Sequence, residues 1–147
     1  MTKEKMLVEK ISQMVNLAIR ATKTPRDYGG VILYYSEIHA LEAINNHCGE
    51  NISTLAEHIA VTVGAVWQVA RKLKAKGLIE QYHQQHNNKD VYFRLTDLGR
   101  TACNEHIRYH KSLNPEFSDF VDRLSEQEAK VIVQFLDGMI KGVVGIV

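Results

Sequence analysis

His106 and His110 stand four residues apart in a stretch of helical periodicity, so their imidazoles project from one face, with Cys103 close beside them. Two imidazoles at that spacing can share one Zn²⁺ at about 2.0–2.1 Å from each nitrogen. They can equally be hydrogen-bonded, metal-free side chains. A second constellation lies upstream. Over residues 63–75, Gly64, Trp67, Gln68, Arg71, Lys74 and Ala75 fall on one side of a helix, and Val66, Val69, Ala70 and Leu73 on the other. A glutamine amide pairs bidentately with adenine and an arginine fork with guanine, so the polar side has the chemistry to read a major groove. Thr62 stands where a helix start is expected, and the first turn offers unpaired backbone N–H groups to a phosphate. Lys72, Lys74, His86, Asn88 and Lys89 suit phosphates or the minor groove. Trp67 has two open readings: contact with DNA, or packing against the following hairpin or a neighbouring helix.

The elements that must position these groups follow from periodicity. Leu7, Ile11, Met14, Val15 and Ala18 predict an amphipathic helix over about 3–22. Ser36 reads as the cap of a helix over 37–46, and a short helix begins at Ser53. The polar-faced helix follows from Val63 after a three-residue turn and stops at Gly77. The period then changes to two. Residues 78–84 and 91–95 predict a hairpin, with His86, Asn87, Asn88 and Lys89 between the strands and asparagine taking the positive φ of the turn. A helix follows over 97–111, with Leu98, Ala102 and Tyr109 on one face; Asn114-Pro115 starts another. Ser125 and Glu128 form a capping box ahead of Ala129, Ile132, Leu136, Met139, Ile140 and Val143. The order short helix, turn, polar-faced helix and basic hairpin is a winged helix-turn-helix. The expected fold is mostly α with a small β-hairpin wing, with the winged domain over 36–98 and a helical dimerisation region over 1–35 and 99–147. A domain of about 60 residues cannot bury the apolar stripes of both flanking regions, which predicts a second copy of the chain.

Composition narrows the function classes. The 147 residues are 45% hydrophobic and 24% charged with a net charge of +1, which excludes a mainly disordered chain. Two cysteines exclude a disulfide scaffold. No apolar run reaches the roughly 20 residues of a bilayer span, the tail at 142–147 included, and the first 20 residues are too charged for a signal peptide. The expectation is a soluble, cytoplasmic protein. Near-neutrality conceals polarity: residues 61–96 hold six Lys/Arg against two acids, whereas residues 112–147 hold six acids against three Lys/Arg. Such a map suits one surface facing a polyanion. There is no Gly-rich phosphate loop, HExxH or GxSxG, so an enzyme is not expected. A winged-helix protein-interaction module and, less simply, a small metal-dependent enzyme are the alternatives to a DNA-binding regulator.

The segments from Ser53 to Ala60, from Val61 to Val66, from Leu73 to Ile79 (LKAKGLI) and from Leu95 to Gly99 (LTDLG) resemble the MarR family of bacterial transcriptional regulators. The resemblance covers nearly the whole chain, and KGLI followed by LTxxG brackets the wing. It implies a homodimeric double-stranded-DNA-binding protein, a repressor, on a pseudo-palindromic operator, with affinity modulated by a small molecule or metal at the domain junction. One departure concerns the wing. Its usual Asp-x-Arg is replaced by Asn87 and Lys89, which keeps a charge without the planar fork and weakens minor-groove reading.

There is also a partial resemblance to the zinc-sensing branch of that family, which implies a Zn²⁺ site at His39, His106 and His110. A Cys and a Glu of that branch correspond to Asp27 and Ile38; Asp27, Glu37 and Glu105 are the candidate additional ligands. A metal joining His39 to His106 and His110 would set the separation of the two recognition helices, which must be about one DNA turn or a multiple. Some family members respond to thiol oxidation, which makes Cys48 and Cys103 an alternative sensor; the simpler expectation is that both are buried small hydrophobes.

Overall fold

The computed structural model describes residues 1–144, and side chains as far as residue 142. Val143 of the expected C-terminal stripe and the end of the apolar tail lie outside that description. The elements run α1 (Lys3–Ala21), β1 (Arg26–Asp27), β2 (Ile32–Leu33), α2 (Tyr35–Asn46), α3 (Ile52–His58), α4 (Val63–Ala75), β3 (Ile79–Gln84), β4 (Asn87–Leu95), α5 (Asp97–Leu113), α6 (Pro115–Asp122) and α7 (Glu126–Val144). Two compact units divide at Ile107/Arg108. In the first, α2, α3, α4 and the β3–β4 hairpin enclose a core whose largest fully buried side chains are Leu33, Ile38, Leu41, Val66, Leu73 and Leu78. This is the expected winged helix: mostly α, with an antiparallel hairpin.

Several local expectations are corrected. α2 starts two residues early: its cap is Tyr34, Ser36 lies in the first turn, and the Glu37 carboxylate accepts the Tyr34 N–H at 2.8 Å. α3 starts before Ser53, because the Asn51 side chain accepts from Thr54 N and caps the helix at Ile52. In the wing, β4 already begins at Asn87, and the positive φ falls on His86 (+65°), not on an asparagine. Asn87 is occupied otherwise. Its Oδ1 accepts from the N–H groups of Lys89 and Asp90 and its Nδ2 donates to Asp90, so it steadies the tip. On α5 the buried face is Gly99, Ala102, Cys103 and His106, spaced i, i+3, i+4, i+7; Leu98 is exposed.

Thr96 ties three elements together. Its hydroxyl donates to Gly77 O at 2.6 Å and accepts the Gly99 N–H at 3.1 Å, capping α5, while its N–H donates to Leu78 O. Gly77 ends α4 with φ +73°, a conformation cheap only for glycine. Gly99 is required for a different reason: a Cβ there would sit 2.1 Å from Leu78 O and 3.2 Å from Leu95 Cγ. Gly99→Ala is therefore expected to cost on the order of 1–3 kcal/mol, read as a lower urea midpoint at unchanged slope.

The two cysteines part ways. Cys103 is buried as expected, and burial first, then the negative charge of Glu42, push its thiol up to about 11. Cys48 is not buried: it lies exposed in the α2–α3 turn, where no core reaches it. Raising a thiol pKa keeps the inert protonated form, leaving of order a thousandth of Cys103 as thiolate at about pH 8. A disulfide-exchange reagent should thus label one thiol per folded chain and two after denaturation, and Cys48→Ser should remove the fast one.

Candidate DNA-reading surface and histidine cluster

Helix α4 is capped by Thr62, whose Oγ1 accepts from Ala65 N at 3.1 Å. Its apolar side chains Val66, Ala70 and Leu73 are buried, which forces Thr62, Gly64, Gln68, Arg71, Lys72 and Lys74 outward, and all six are exposed. Gly64 keeps the first turn bare, so the backbone there can approach a partner closely. Trp67 takes the packing reading. It is half-buried against the core, edge-on to Phe93 of β4 with centroids 5.9 Å apart at 83°. His86, Asn88 and Lys89 are exposed on the hairpin, whose strands are joined across register by the Arg94–Glu80 ion pair at 2.9 Å.

His39 of α2 and His106 of α5 come together, with rings 5.0 Å apart at 87° and ligand nitrogens within 4.8 Å of one another. His106 is 2% exposed and edge-on to Tyr28. Between the two histidines lies a residue that spacing arguments missed, Glu42. Its Oε1 is 2.5 Å from His106 Nδ1 and its Oε2 is 3.4 Å from His39 Nδ1. A carboxylate can only accept, so His106 donates from Nδ1. Burial works to raise the Glu42 pKa, but the hydrogen bonds and charges of His39 and His106 outweigh it and hold the carboxyl below its ordinary value. The signal for Glu42 was present, three residues after His39 on one helical face. His110 follows His106 by one turn of α5.

The additional ligands fare differently. Glu37 is not available to a metal, because both of its oxygens accept from Lys76 Nζ, at 2.8 and 2.9 Å, inside a nearly closed pocket. Lys76 also donates to Ile32 O, so it ties the end of α4 to β2 as well as to α2. Asp27 accepts from Gly30 N at 2.7 Å across the β1–β2 turn. Glu105 is half-buried on α5.

Residues 33–91 match the model of the MarR family. The chain is 32% identical over 96 residues to an uncharacterized HTH-type transcriptional regulator, YhjH, of Bacillus subtilis strain 168; that alignment covers 65% of this chain and 55% of the relative. Among solved structures, Streptococcus pneumoniae FabT in complex with DNA aligns with a TM-score of 0.69 at 22% identity, covering 99% of this chain and all of that one. A zinc-responsive MarR family member, Lactococcus lactis ZitR, aligns with a TM-score of 0.63 at 19% identity, covering 97% and 99%. YhjH is named a transcriptional regulator, and the FabT structure is of a complex with DNA. Residues 33–91 thus carry the MarR family match, on the winged-helix fold that MarR family structures share.

Proposed function

We propose that the chain acts in the cytoplasm as a homodimeric repressor that binds a pseudo-palindromic DNA operator through α4 and the β3–β4 wing. The observation that carries this reading is the exposed row Gln68, Arg71, Lys72 and Lys74 on a helix whose other side is locked into the core. Gln68 and Arg71 read base edges, with Thr62 and Gly64 at the close-approach end; Lys72, Lys74, His86, Asn88 and Lys89 meet phosphates or the minor groove. Residues 36–98 form the DNA-binding domain, and 1–35 with 99–147 the dimerisation region. Support for a second copy comes from α1, which buries none of its residues and exposes Leu7, Met14, Val15 and Leu17, and from Phe117, Phe120, Ile132, Leu136 and Ile140, exposed on α6 and α7. Exposed apolar stripes of this kind, on each unit taken by itself, mark association sites.

The effector is Zn²⁺ held by His39, His106 and His110. Glu42 fits this role as a partner behind the ligands: a carboxylate on Nδ1 orients an imidazole and makes Nε2 the donor toward a metal. The likeness to a protein described as zinc-responsive supports the choice of ion. A cleft of about 230 Å³ lined by Tyr35, His39, Ile59, Val61 and Val69 is the competing place for an organic effector, but it is below the ~300–1,000 Å³ typical of such sites. The bound ion supplies a fixed link between α2 and α5, and through it selects among spacings of the two recognition helices.

Anisotropy titrations of the full chain with duplex carrying its own upstream region should show affinity falling steeply with salt. Arg71→Ala should cost about 1–3 kcal/mol at one base position, and Lys89→Ala should lower the salt slope by about one. Binding that is absent, or indifferent to salt, overturns the DNA reading. Separately, His106→Ala should abolish tight Zn²⁺ binding and Glu42→Gln should weaken it about 10–100-fold. Zinc affinity unchanged in His106→Ala removes the sensor.

A further inference from the structure

A second group of ligand-type side chains stands on the turn between α2 and α3, built from none of the residues used above. His47 caps the end of α2, Glu50 follows Gly49 in the turn, and His58 is the last residue of α3. Glu50 Oε2 lies 2.6 Å from His58 Nε2 and 3.7 Å from His47 Nδ1. The two imidazoles stack at 3.7 Å with 11° between their planes, and one ligand atom from each of the three residues lies within 4.8 Å of the others. Despite these short distances, neither imidazole reaches Glu50 Oε2 with hydrogen-bond geometry. Among the described residues, that oxygen is the buried side-chain polar atom left without a hydrogen-bond partner. Buried polar atoms are satisfied in the great majority of cases, and a bound ion is one of the standard reasons for an exception.

We propose that His47, Glu50 and His58 form a second divalent-cation site. Two imidazole nitrogens and one carboxylate oxygen are a borderline donor set, the choice of Zn²⁺ over Mg²⁺ or Ca²⁺, which prefer oxygen alone. An ion between the three side chains satisfies Glu50 Oε2 and accepts both ring lone pairs at once. Tetrahedral ligation with bonds of about 2.0–2.2 Å requires ligand atoms about 3.3–3.6 Å apart, and the two stacked rings must fan open so that their in-plane lone pairs converge, a rotation open to half-exposed side chains. Water takes the fourth position. The backbone is already set for this: Gly49 turns the chain at φ +90°, Glu50 N donates to His47 O, and Gln84 Nε2 of β3 donates to Gly49 O at 3.3 Å. An ion here clamps the end of α2 to the end of α3, and the Gln84 contact carries that constraint to the wing. Its role is to rigidify the winged half, whatever the His39–His106 pair binds.

The test uses the full-length His39→Ala/His106→Ala chain, which lacks the other pair, titrated with Co²⁺ as a spectroscopic stand-in for Zn²⁺. The expected result is about one Co²⁺ per chain with visible d–d absorption, displaced by Zn²⁺ and lost on adding His47→Ala/His58→Ala. Glu50→Gln, a near-isosteric change, should weaken binding at least tenfold with the far-UV circular dichroism unchanged. No Co²⁺ binding in the His39→Ala/His106→Ala chain, or absorption that survives loss of both His47 and His58, overturns the proposal. Failure of the Zn²⁺ effector is read apart from this, as equal metal stoichiometry in the wild-type and His39→Ala/His106→Ala chains.

Discussion

The arrangement of the first unit depends on one crossing of backbone over glycine. Leu78 O can lie against Gly99 only because residue 99 has no Cβ. Thr96 then closes the crossing with its hydroxyl on Gly77 O and its N–H on Leu78 O. Three directions are set there at once: the exit of α4, the root of the wing, and the start of α5. A recognition helix and a wing address one stretch of DNA only if their mutual angle is fixed, and phosphate contacts then fix register. The same crossing starts the helix that carries His106, so the exposed face of α4 and the histidine pair share an anchor.

Helix α2 carries two buried or half-buried carboxylates with opposite duties. Glu37 is fully committed: its oxygens take the Lys76 ammonium and the Tyr34 N–H. A charge so enclosed is tolerable because it is paired and hydrogen-bonded, and removing its partner would strand it. Glu42, one and a half turns on, holds imidazoles instead of an ammonium. Imidazoles have a second nitrogen to offer, whereas an ammonium held by Glu37 has nothing further to coordinate. The difference between a structural and a potentially responsive carboxylate on one helix therefore lies in the partner, not in the acid.

Apolar surface is distributed unevenly. The winged core buries its aliphatic side chains thoroughly, while α1, α6 and α7 leave theirs exposed. Helices with apolar stripes gain most of their stability from packing rather than propensity, so such a chain has a physical reason to associate. This is consistent with the charge map, in which the basic excess sits on the α4–wing segment and the acidic excess on the C-terminal helices.

Periodicity alone determined the number and order of helices, the capping of α4 by Thr62, the burial of Val66, Ala70 and Leu73, and hence which polar residues face out. These are local consequences of 3.6-residue geometry and side-chain polarity, and they need no knowledge of distant neighbours. The pairing of His39 with His106 came from resemblance, since nothing in sixty-odd intervening residues specifies their distance. Tertiary structure decided the rest. It put Trp67 on Phe93, removed Glu37 from the candidate ligands by giving it Lys76, exposed Cys48, and set Glu42 behind two imidazoles. It also gathered His47, Glu50 and His58. Each of these turns on which element lies against which. That is settled by packing between segments far apart in sequence, where side-chain type limits the possible partners and only the folded core selects among them.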